Sequence, residues 1–177
     1  MKRSLHCLLS FCLLVNFSIA EEHIEKRIYT AIRTESSLQI DGKLDEPIWS
    51  TAPKSSDFTQ RKPNEGEKPT EKTEFQIVYD DKHLYVGIRA FDSQVEIIDD
   101  RVTRRDEAGV SDKVSILLDS YFDKRTAFEF GVNAGGVKMD MMFSADGQEE
   151  DPNWDPVWYV KTDRDELGWT AELKIPF

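Results

Sequence analysis

The sequence predicts an all-β protein, an antiparallel β-sandwich of jelly-roll-like form with at most one short helix. Three observations lead to this fold class. Short segments alternate apolar and polar residues, as strands with one buried face do. Turn-forming residues separate these segments at regular intervals. No segment shows a convincing long helical period, so strands must supply the core.

The first 20 residues have the pattern of an export signal. A basic pair at the start precedes an apolar stretch, and small residues up to Ala20 occupy the positions that a signal peptidase reads. The apolar stretch is too short to span a bilayer comfortably, which disfavours a membrane anchor. We therefore expect a signal peptide over 1–20, a leader over 21–37 and one folded domain over 38–177. The protein is then exported, to the periplasm, the cell envelope or the extracellular space.

The region before the main strands carries little alternation. The charged leader is expected to pair at most as a strand near 27–32, and a short strand at 38–40 meets a turn at Asp41 and Gly42. Residues 44–52 read as one helical turn ended by Pro53. Residues 54–72 hold prolines and many polar residues, which predicts a surface loop anchored by Phe58.

The remaining segments read as strands. The clearest is 73–79, where Phe75, Ile77 and Tyr79 share one face and a turn leads into a second hairpin arm at 83–91. Further strands are predicted at 113–120, 126–133, 137–143, 157–162 and 169–175. Aromatic residues at alternate positions would fill the space between two sheets. Trp49 and Trp169 fall in such core-facing patterns, so we expect both to be buried.

Composition excludes several classes of function. Both cysteines lie in the export signal, so the mature chain forms no disulfide, thiolate metal site or cysteine nucleophile. The net charge of −11 repels polyanions, so we expect no nucleic-acid partner. Only His23 and His83 remain after processing, and no motif of a zinc enzyme, serine hydrolase or nucleotide-binding loop is evident.

Several pieces of the sequence resemble one family in order and spacing. They begin with Ile40-Asp-Gly-Lys-Leu-Asp-Glu-Pro-Ile-Trp49 and continue with Leu84-Tyr-Val-Gly87, Asp112 to Asp119, Phe130-Gly-Val-Asn133 and Gly168-Trp-Thr-Ala-Glu172. The chain resembles the family 9 carbohydrate-binding modules, especially those at the N-terminus of large bacterial outer-membrane barrel proteins. The resemblance covers residues 38–177. It implies a calcium-containing β-sandwich that binds a poly- or oligosaccharide and that belongs to carbohydrate catabolism.

The resemblance also implies ligand-binding residues. Its glucose-binding members clamp a sugar between two tryptophans, and an arginine, an acidic residue and an asparagine hold the hydroxyl groups. Asn133 matches the asparagine, and Phe177 lies near the second tryptophan. Ser115 stands where those members have the acidic residue, and Gly131 where they have the arginine.

Three further ligand candidates come from the residues themselves. Trp154 and Trp158 occupy a loop-to-strand corner, where large aromatics are often functional, although burial in the core is the alternative. Arg105 offers a planar fork to hydroxyl groups, or alternatively forms an ion pair.

Four aspartates are candidate calcium ligands. Asp112, Asp119 and Asp123 bracket one predicted strand and its following loop, and Asp140 lies on a later strand. Calcium takes six to eight oxygen ligands, and carboxylates gathered at strand ends supply them. The alternative is that these aspartates form turns and face solvent.

Three functions are consistent with these observations. The first is a non-catalytic carbohydrate-binding domain, in a family often attached to glycoside hydrolases. The second is a periplasmic interaction domain, joined to an outer-membrane barrel domain, that has lost sugar binding. The third is a glycoside hydrolase, which requires two carboxylates about 5 Å or 6.5–9.5 Å apart across a cleft.

Overall fold

Two β-sheets make up the protein, for which a computed structural model describes residues 27–107 and 109–177. The predicted signal peptide lies outside these described residues. The first sheet has five strands in the order β1-β2-β3-β9-β8, and the second has four in the order β4-β5-β6-β7. Neighbouring strands are antiparallel except β1, which runs parallel to β2. The predicted all-β sandwich is confirmed.

The strands are β1 (Ile32–Arg33), β2 (Thr73–Tyr79), β3 (His83–Phe91), β4 (Lys113–Leu118), β5 (Ala127–Asn133), β6 (Lys138–Ser144), β7 (Glu149–Asp151), β8 (Tyr159–Asp165) and β9 (Gly168–Pro176). The helix α1 spans Pro47–Thr51, and single 3-10 turns occur at Val95–Ile97 and Ala145–Gly147. In the part of the chain that the structure describes, no helix is long and apolar enough to cross a membrane.

Most predicted strands are confirmed. The bounds of β2 and β3 match the prediction, and the other predicted strands after residue 100 differ by no more than three residues at either end. The predicted strand at 38–40 is wrong, because these residues do not join a sheet. The leader contributes β1 at Ile32–Arg33, slightly beyond the expected 27–32. Phe58 anchors the predicted surface loop by packing edge-on against Phe75 at 5.8 Å.

The main core lies between the two sheets. Inward-facing residues of β3, β5 and β9 meet there, together with a residue from the loop before β4 and one from the segment before β8. The buried members are Val86, Ile88, Ile98, Phe130, Val132, Trp158, Trp169, Ala171, Leu173 and Ile175. Trp169 is buried as predicted.

A second, smaller core lies on the outer face of the five-stranded sheet. Successive side chains of a strand point to opposite faces of the sheet. Val78 and Tyr85 therefore point away from the main core, which their neighbours Ile77 and Val86 face. Leu38, Trp49 and Ala52 pack onto them. Trp49 is buried as predicted, but it covers the outside of the sheet. Because the segment 38–52 covers the outer face, β2, β3 and β9 are covered on both faces of the sheet.

Candidate functional site

The loop between β4 and β5 presents two exposed aromatic side chains. Tyr121 is 71% exposed and Phe122 is 79% exposed. Phe122 has a φ of +54°, a left-handed conformation that costs a bulky residue about 1–3 kcal/mol. Backbone strain of this kind is concentrated at functional sites. We call Tyr121 and Phe122 the aromatic pair.

Two aspartates hold this loop in shape. The Asp119 carboxylate accepts the backbone N–H groups of Asp123 at 3.1 Å and Lys124 at 2.8 Å. The Asp123 carboxylate accepts those of Arg125 at 2.8 Å and Thr126 at 2.7 Å. These donors lower the pKa of Asp123, because they favour its charged form. The aromatic pair is thus carried by an ordered loop.

A groove of about 390 Å³ adjoins the same loop on the outer face of the four-stranded sheet. Arg125 Nε donates to Asp146 Oδ1 at 3.1 Å, which places a guanidinium fork and a carboxylate together at the groove. Its floor is apolar. The lining residues are Leu117, Asp119, Lys124, Arg125, Thr126, Ala127, Phe143, Asp146 and Gly147.

A row of aromatic rings connects the loop to the main core. Tyr121 packs edge-on against Phe128 at 5.7 Å, and Phe128 contacts Trp154 at 4.8 Å. Phe130 then lies between Trp154 and Trp158, at 5.4 Å from each ring. Trp154 is half-buried within this row. The row fixes the position of Tyr121 while leaving most of its side chain exposed.

Trp158 lies inside the protein. Only 1% of it is exposed, its Nε1 donates to Asp140 Oδ2 at 3.4 Å, and Lys138 Nζ lies 4.8 Å from the ring centre. Burial lowers the pKa of Lys138, and the nearby Arg105 charge lowers it further. A sugar ring cannot stack on Trp158 while it is buried in this way. Trp158, which the sequence suggested as a stacking platform, is a core residue in this structure.

Asn133 is also buried, at the turn between β5 and β6. Its Oδ1 accepts the Val137 backbone N–H at 2.8 Å, and its Nδ2 donates to the Arg101 carbonyl at 2.9 Å. Both ends of the amide therefore bind backbone groups. These bonds stabilise the turn, and a ligand would have to displace them.

Arg105 forms a fork-to-fork ion pair with Asp140. Arg105 Nε donates to Asp140 Oδ2 at 3.0 Å, and Nη2 donates to Oδ1 at 2.7 Å. Nη2 also lies 2.5 Å from Asp155 Oδ1. The Asp140 side chain is buried, and the ion pair with Arg105 offsets the cost of burying a carboxylate there. The structure therefore shows the second of the two roles that the sequence allows for Arg105, an ion pair.

The four predicted calcium ligands are not brought together. Asp119 and Asp123 share the β4–β5 loop, Asp140 binds Arg105, and Asp112 Oδ2 accepts the Asp99 backbone N–H at 2.7 Å. Within 27–107 and 109–177, no group of three or more His, Cys, Asp or Glu side chains is placed to hold a metal ion. Calcium binding stays a prediction.

Phe177 is 77% exposed at the end of β9, on the other sheet. Its backbone N–H donates to the Lys82 carbonyl at 2.9 Å, which places it beside the β2–β3 turn. Its role as a stacking residue stays a prediction. It belongs to a different sheet from Asn133 and the aromatic row, so the predicted ligand residues do not form one cluster.

The positions of the family's arginine and acidic residue face each other on the four-stranded sheet. Ser115 and Gly131 are directly paired in register. A Cβ atom on Gly131 would lie 2.8 Å from Ser115 Oγ and 3.1 Å from Met139 Cε. Side-chain ends of Ser115 and Met139 approach the space above Gly131, and these two positions carry neither the arginine nor the acidic residue of the clamp that the resemblance implies.

The sequence prediction did not include Tyr121 and Phe122. A signal for them is present, since two adjacent large aromatics stand in a segment that the sequence predicts to be a loop. The aspartates on either side of them, Asp119 and Asp123, mark the residues between as a turn.

Comparisons with known proteins agree with this architecture. The family model described as carbohydrate family 9 binding domain-like matches residues 40–177. A family 9 carbohydrate-binding module from Caldicellulosiruptor kristjanssonii, solved in complex with glucose, is 22% identical with a TM-score of 0.60, over 86% of this chain and 69% of that chain. A second structure of such a module from that organism, in complex with cellotriose, is 22% identical with a TM-score of 0.58, over 86% and 68%. No curated protein matches the sequence.

Proposed function

We propose, since this chain belongs to the carbohydrate family 9 binding domain-like family, that it is a non-catalytic saccharide-binding domain. Solved family 9 modules of similar fold hold glucose and cellotriose, which supports neutral glucose units as the ligand class. The match covers the region 40–177, which includes both sheets except β1.

The exposed aromatic pair is the observation that carries the proposal. A pyranose ring presents a face of C–H groups, and these pack favourably against the negative face of an aromatic ring. Tyr121 and Phe122 offer such faces to solvent from a loop held by Asp119 and Asp123. Large aromatics on an ordered loop lose little side-chain freedom when a ligand packs on them.

The adjoining groove supplies hydrogen-bonding groups for sugar hydroxyls. A hydroxyl both donates and accepts, and the Arg125–Asp146 pair offers donors and an acceptor at one point of the groove. Thr126 and Lys124 add further polar groups to the lining. The groove would thus bind sugar hydroxyls beside the loop that carries the aromatic pair.

Titration calorimetry with glucose, cellotriose and a panel of other soluble glycans tests the proposal. Removing one exposed aromatic side chain, as Tyr121→Ala or Phe122→Ala, should weaken the free energy of saccharide binding by about 1–2 kcal/mol. This corresponds to a rise of roughly 5–30-fold in Kd. Val110→Ala is the matched control, because Val110 is also highly exposed but lies on another loop. Phe177→Ala tests the second platform predicted from the sequence.

Two outcomes would contradict the proposal. One is silence across the whole panel. The other is binding that the Tyr121 and Phe122 variants leave unchanged. Loss of binding in Phe177→Ala alone would move the stacking platform to the end of β9.

Three further parts of the proposal rest on the sequence. Export rests on the signal pattern over 1–20, and a bound calcium ion rests on the family resemblance and on the aspartates of the β4–β5 loop. An outer-membrane barrel domain in the full-length protein rests on the resemblance alone. Each is tested separately, by secretion of the full chain, by calcium titration and by the sequence that follows Phe177 in the genome.

A further inference from the structure

A pocket of about 710 Å³ lies on the outer face of the five-stranded sheet, away from the aromatic pair. Its floor comes from β2, β3 and β9, and its walls come from the segment 44–54 and the β8–β9 turn. Its size falls in the range of about 300–1,000 Å³ that is typical of small-molecule sites. We call it the outer-face pocket, and its main polar and apolar lining residues are Glu46, Ser50, Lys54, Glu74, Arg89 and Leu167.

The wall of this pocket is firmly fixed. Gly87 has no side chain, and a Cβ atom there would lie 2.8 Å from Leu44 and 3.3 Å from the Trp49 ring. Trp49 can therefore lie directly on β3. The buried Glu172 carboxylate accepts the Trp49 indole N–H at 3.2 Å and the Asp41 backbone N–H at 3.1 Å. The segment that forms the wall is thus tied to the sheet, which preorganises the pocket.

The charged groups at the floor already have partners of opposite charge. The largely buried Glu74 carboxylate lies 2.5 Å from Lys72 Nζ and 3.4 Å from Lys54 Nζ. The hydrogen bond with Lys72 lowers the pKa of Glu74, and Lys54 adds to this effect. Arg89 Nη2 donates to both oxygens of Asp165 at 2.7 Å. Glu74 and Arg89 are therefore both held in place by ion pairs before any ligand binds.

Hydrogen-bonding capacity nevertheless remains in the pocket. Both bonds from Arg89 to Asp165 start at Nη2, so the other guanidinium N–H groups keep capacity to donate to a ligand. Glu46 Oε2 is buried and accepts no hydrogen bond from the described residues. A buried oxygen left without a donor is destabilising. A ligand hydroxyl can accept from the free N–H groups of Arg89, whereas Glu46 Oε2 is closed off from the pocket space.

Leu44 and Leu167 give the pocket an apolar side. A pyranose presents this combination, with hydroxyl groups around its rim and C–H groups on its faces. We propose that the outer-face pocket is a second saccharide-binding site, which takes one or two neutral sugar units against Glu46, Glu74 and Arg89. The sugar class rests on the proposed function, whereas the position of the site does not depend on the aromatic pair.

A blocking substitution with a matched control tests this site. Ser50 is exposed on α1 and lines the outer-face pocket, and its hydroxyl donates to the Pro47 carbonyl. Thr51 is exposed on the same helix, its hydroxyl donates to the Ile48 carbonyl, and it does not line the pocket. Ser50→Trp should therefore fill the pocket, and Thr51→Trp should leave it open at the same local cost to the helix.

The measurement is a ¹H–¹⁵N titration of the wild type and both variants with glucose and with cellotriose. We expect the Trp49 indole N–H and the Gly87 and Thr170 amides to shift in the wild type. In Ser50→Trp, the apparent Kd obtained from these shifts should rise about tenfold or more, which is equivalent to about 1.4 kcal/mol of binding free energy. In Thr51→Trp, the apparent Kd should stay unchanged.

The outcomes separate this site from the aromatic pair. Shifts confined to Tyr121, Phe122 and their neighbours would overturn the outer-face pocket and leave the proposed function intact. Shifts at Trp49 without any at the aromatic pair would support the pocket and overturn the loop as the platform. Silence at both places with both sugars would overturn both, and equal effects of Ser50→Trp and Thr51→Trp would overturn the pocket.

Discussion

Raising the pH through neutrality should destabilise this protein through Glu172. Burial raises the pKa of Glu172 to about 7 from an ordinary value of 4.5, and the nearby Glu46 carboxylate adds to the rise. The folded pKa exceeds the unfolded one, so the folded state binds this proton more tightly. The resulting stability is fully present below about pH 4.5 and is lost as the pH rises through about 7.

The size of the effect follows from the two pKa values. One pKa unit corresponds to about 1.4 kcal/mol, so the difference between 4.5 and about 7 amounts to about 3 kcal/mol of unfolding free energy. Most of this loss should occur between about pH 5 and pH 7, because only there do the folded and unfolded states bind different numbers of protons at this group.

Substituting Glu46→Gln isolates the contribution of this pair. The amide removes the charge that repels Glu172 and leaves its bonds with Trp49, Asp41 and Gly42 in place. The pKa of Glu172 should fall, and the decline in stability between about pH 5 and pH 7 should become shallower than in the wild type. Urea unfolding followed by tryptophan fluorescence at several pH values measures both slopes.

Glu65→Gln serves as the control, because Glu65 is an exposed glutamate in the 54–72 loop. It carries the same chemical change without a buried neighbour, and other titrating groups cancel in the comparison. The reasoning is refuted if Glu46→Gln and Glu65→Gln show the same pH dependence as the wild type.

Three other changes have expected results. Arg105→Leu leaves the buried Asp140 charge unpaired and should cost about 3–5 kcal/mol in urea unfolding, while the double change Arg105→Leu/Asp140→Leu should recover part of that loss. Gly87→Ala places a methyl group against the packed segment 44–49 and should lower the unfolding free energy by about 1–3 kcal/mol, measured in the same way. If the β4–β5 loop binds calcium as proposed, a chelator should lower the Tm of the wild type, and Asp119→Asn/Asp123→Asn should remove that response in scanning calorimetry.

The strands were predictable where local pattern and tertiary structure agree. In β2 and β3, alternation is strong and a turn formed by Asp80 to Lys82 separates them, so both bounds follow from the residues alone. The short strand β7 consists of Glu149, Glu150 and Asp151, which carry no apolar signal. It becomes a strand because it pairs with the free edge of β6, and the sequence of β7 alone does not show that this edge lies beside it.

The second core shows a different limit of the sequence. Alternation predicts which residues share a face, but it does not say that both faces of β2, β3 and β9 are covered. Gln76 reads as a solvent-facing residue, yet it is buried and its Nε2 donates to the Ala52 carbonyl at 2.8 Å. The covering segment comes from residues 38–52, far earlier in the chain, and its docking depends on shape.

The ligand residues were the least predictable part. Trp158 and Asn133 have the residue types and the loop-edge positions of a binding site, but partners distant in sequence decide their burial. Phe130 and Asp140 enclose Trp158, while Arg101 and Val137 bind the Asn133 amide. Residue type alone does not distinguish a platform from a core residue, and exposure decides between them.

The residues that identify the family and those that we propose to contact a saccharide have different roles in this fold. The run from Ile40 to Trp49 docks the chain on the outside of the five-stranded sheet. Gly42 at φ +93° lies so close to β8 that a Cβ atom would be 2.6 Å from the Thr162 carbonyl carbon. These contacts require particular residues whatever the ligand is. In the loop with Tyr121 and Phe122, only one edge contact with Phe128 ties Tyr121 to the core, and most of both side chains is exposed, so residue changes there disturb the sandwich less. Differences in saccharide preference between proteins of this fold are therefore expected in that loop more than in the packed segment from Ile40 to Trp49.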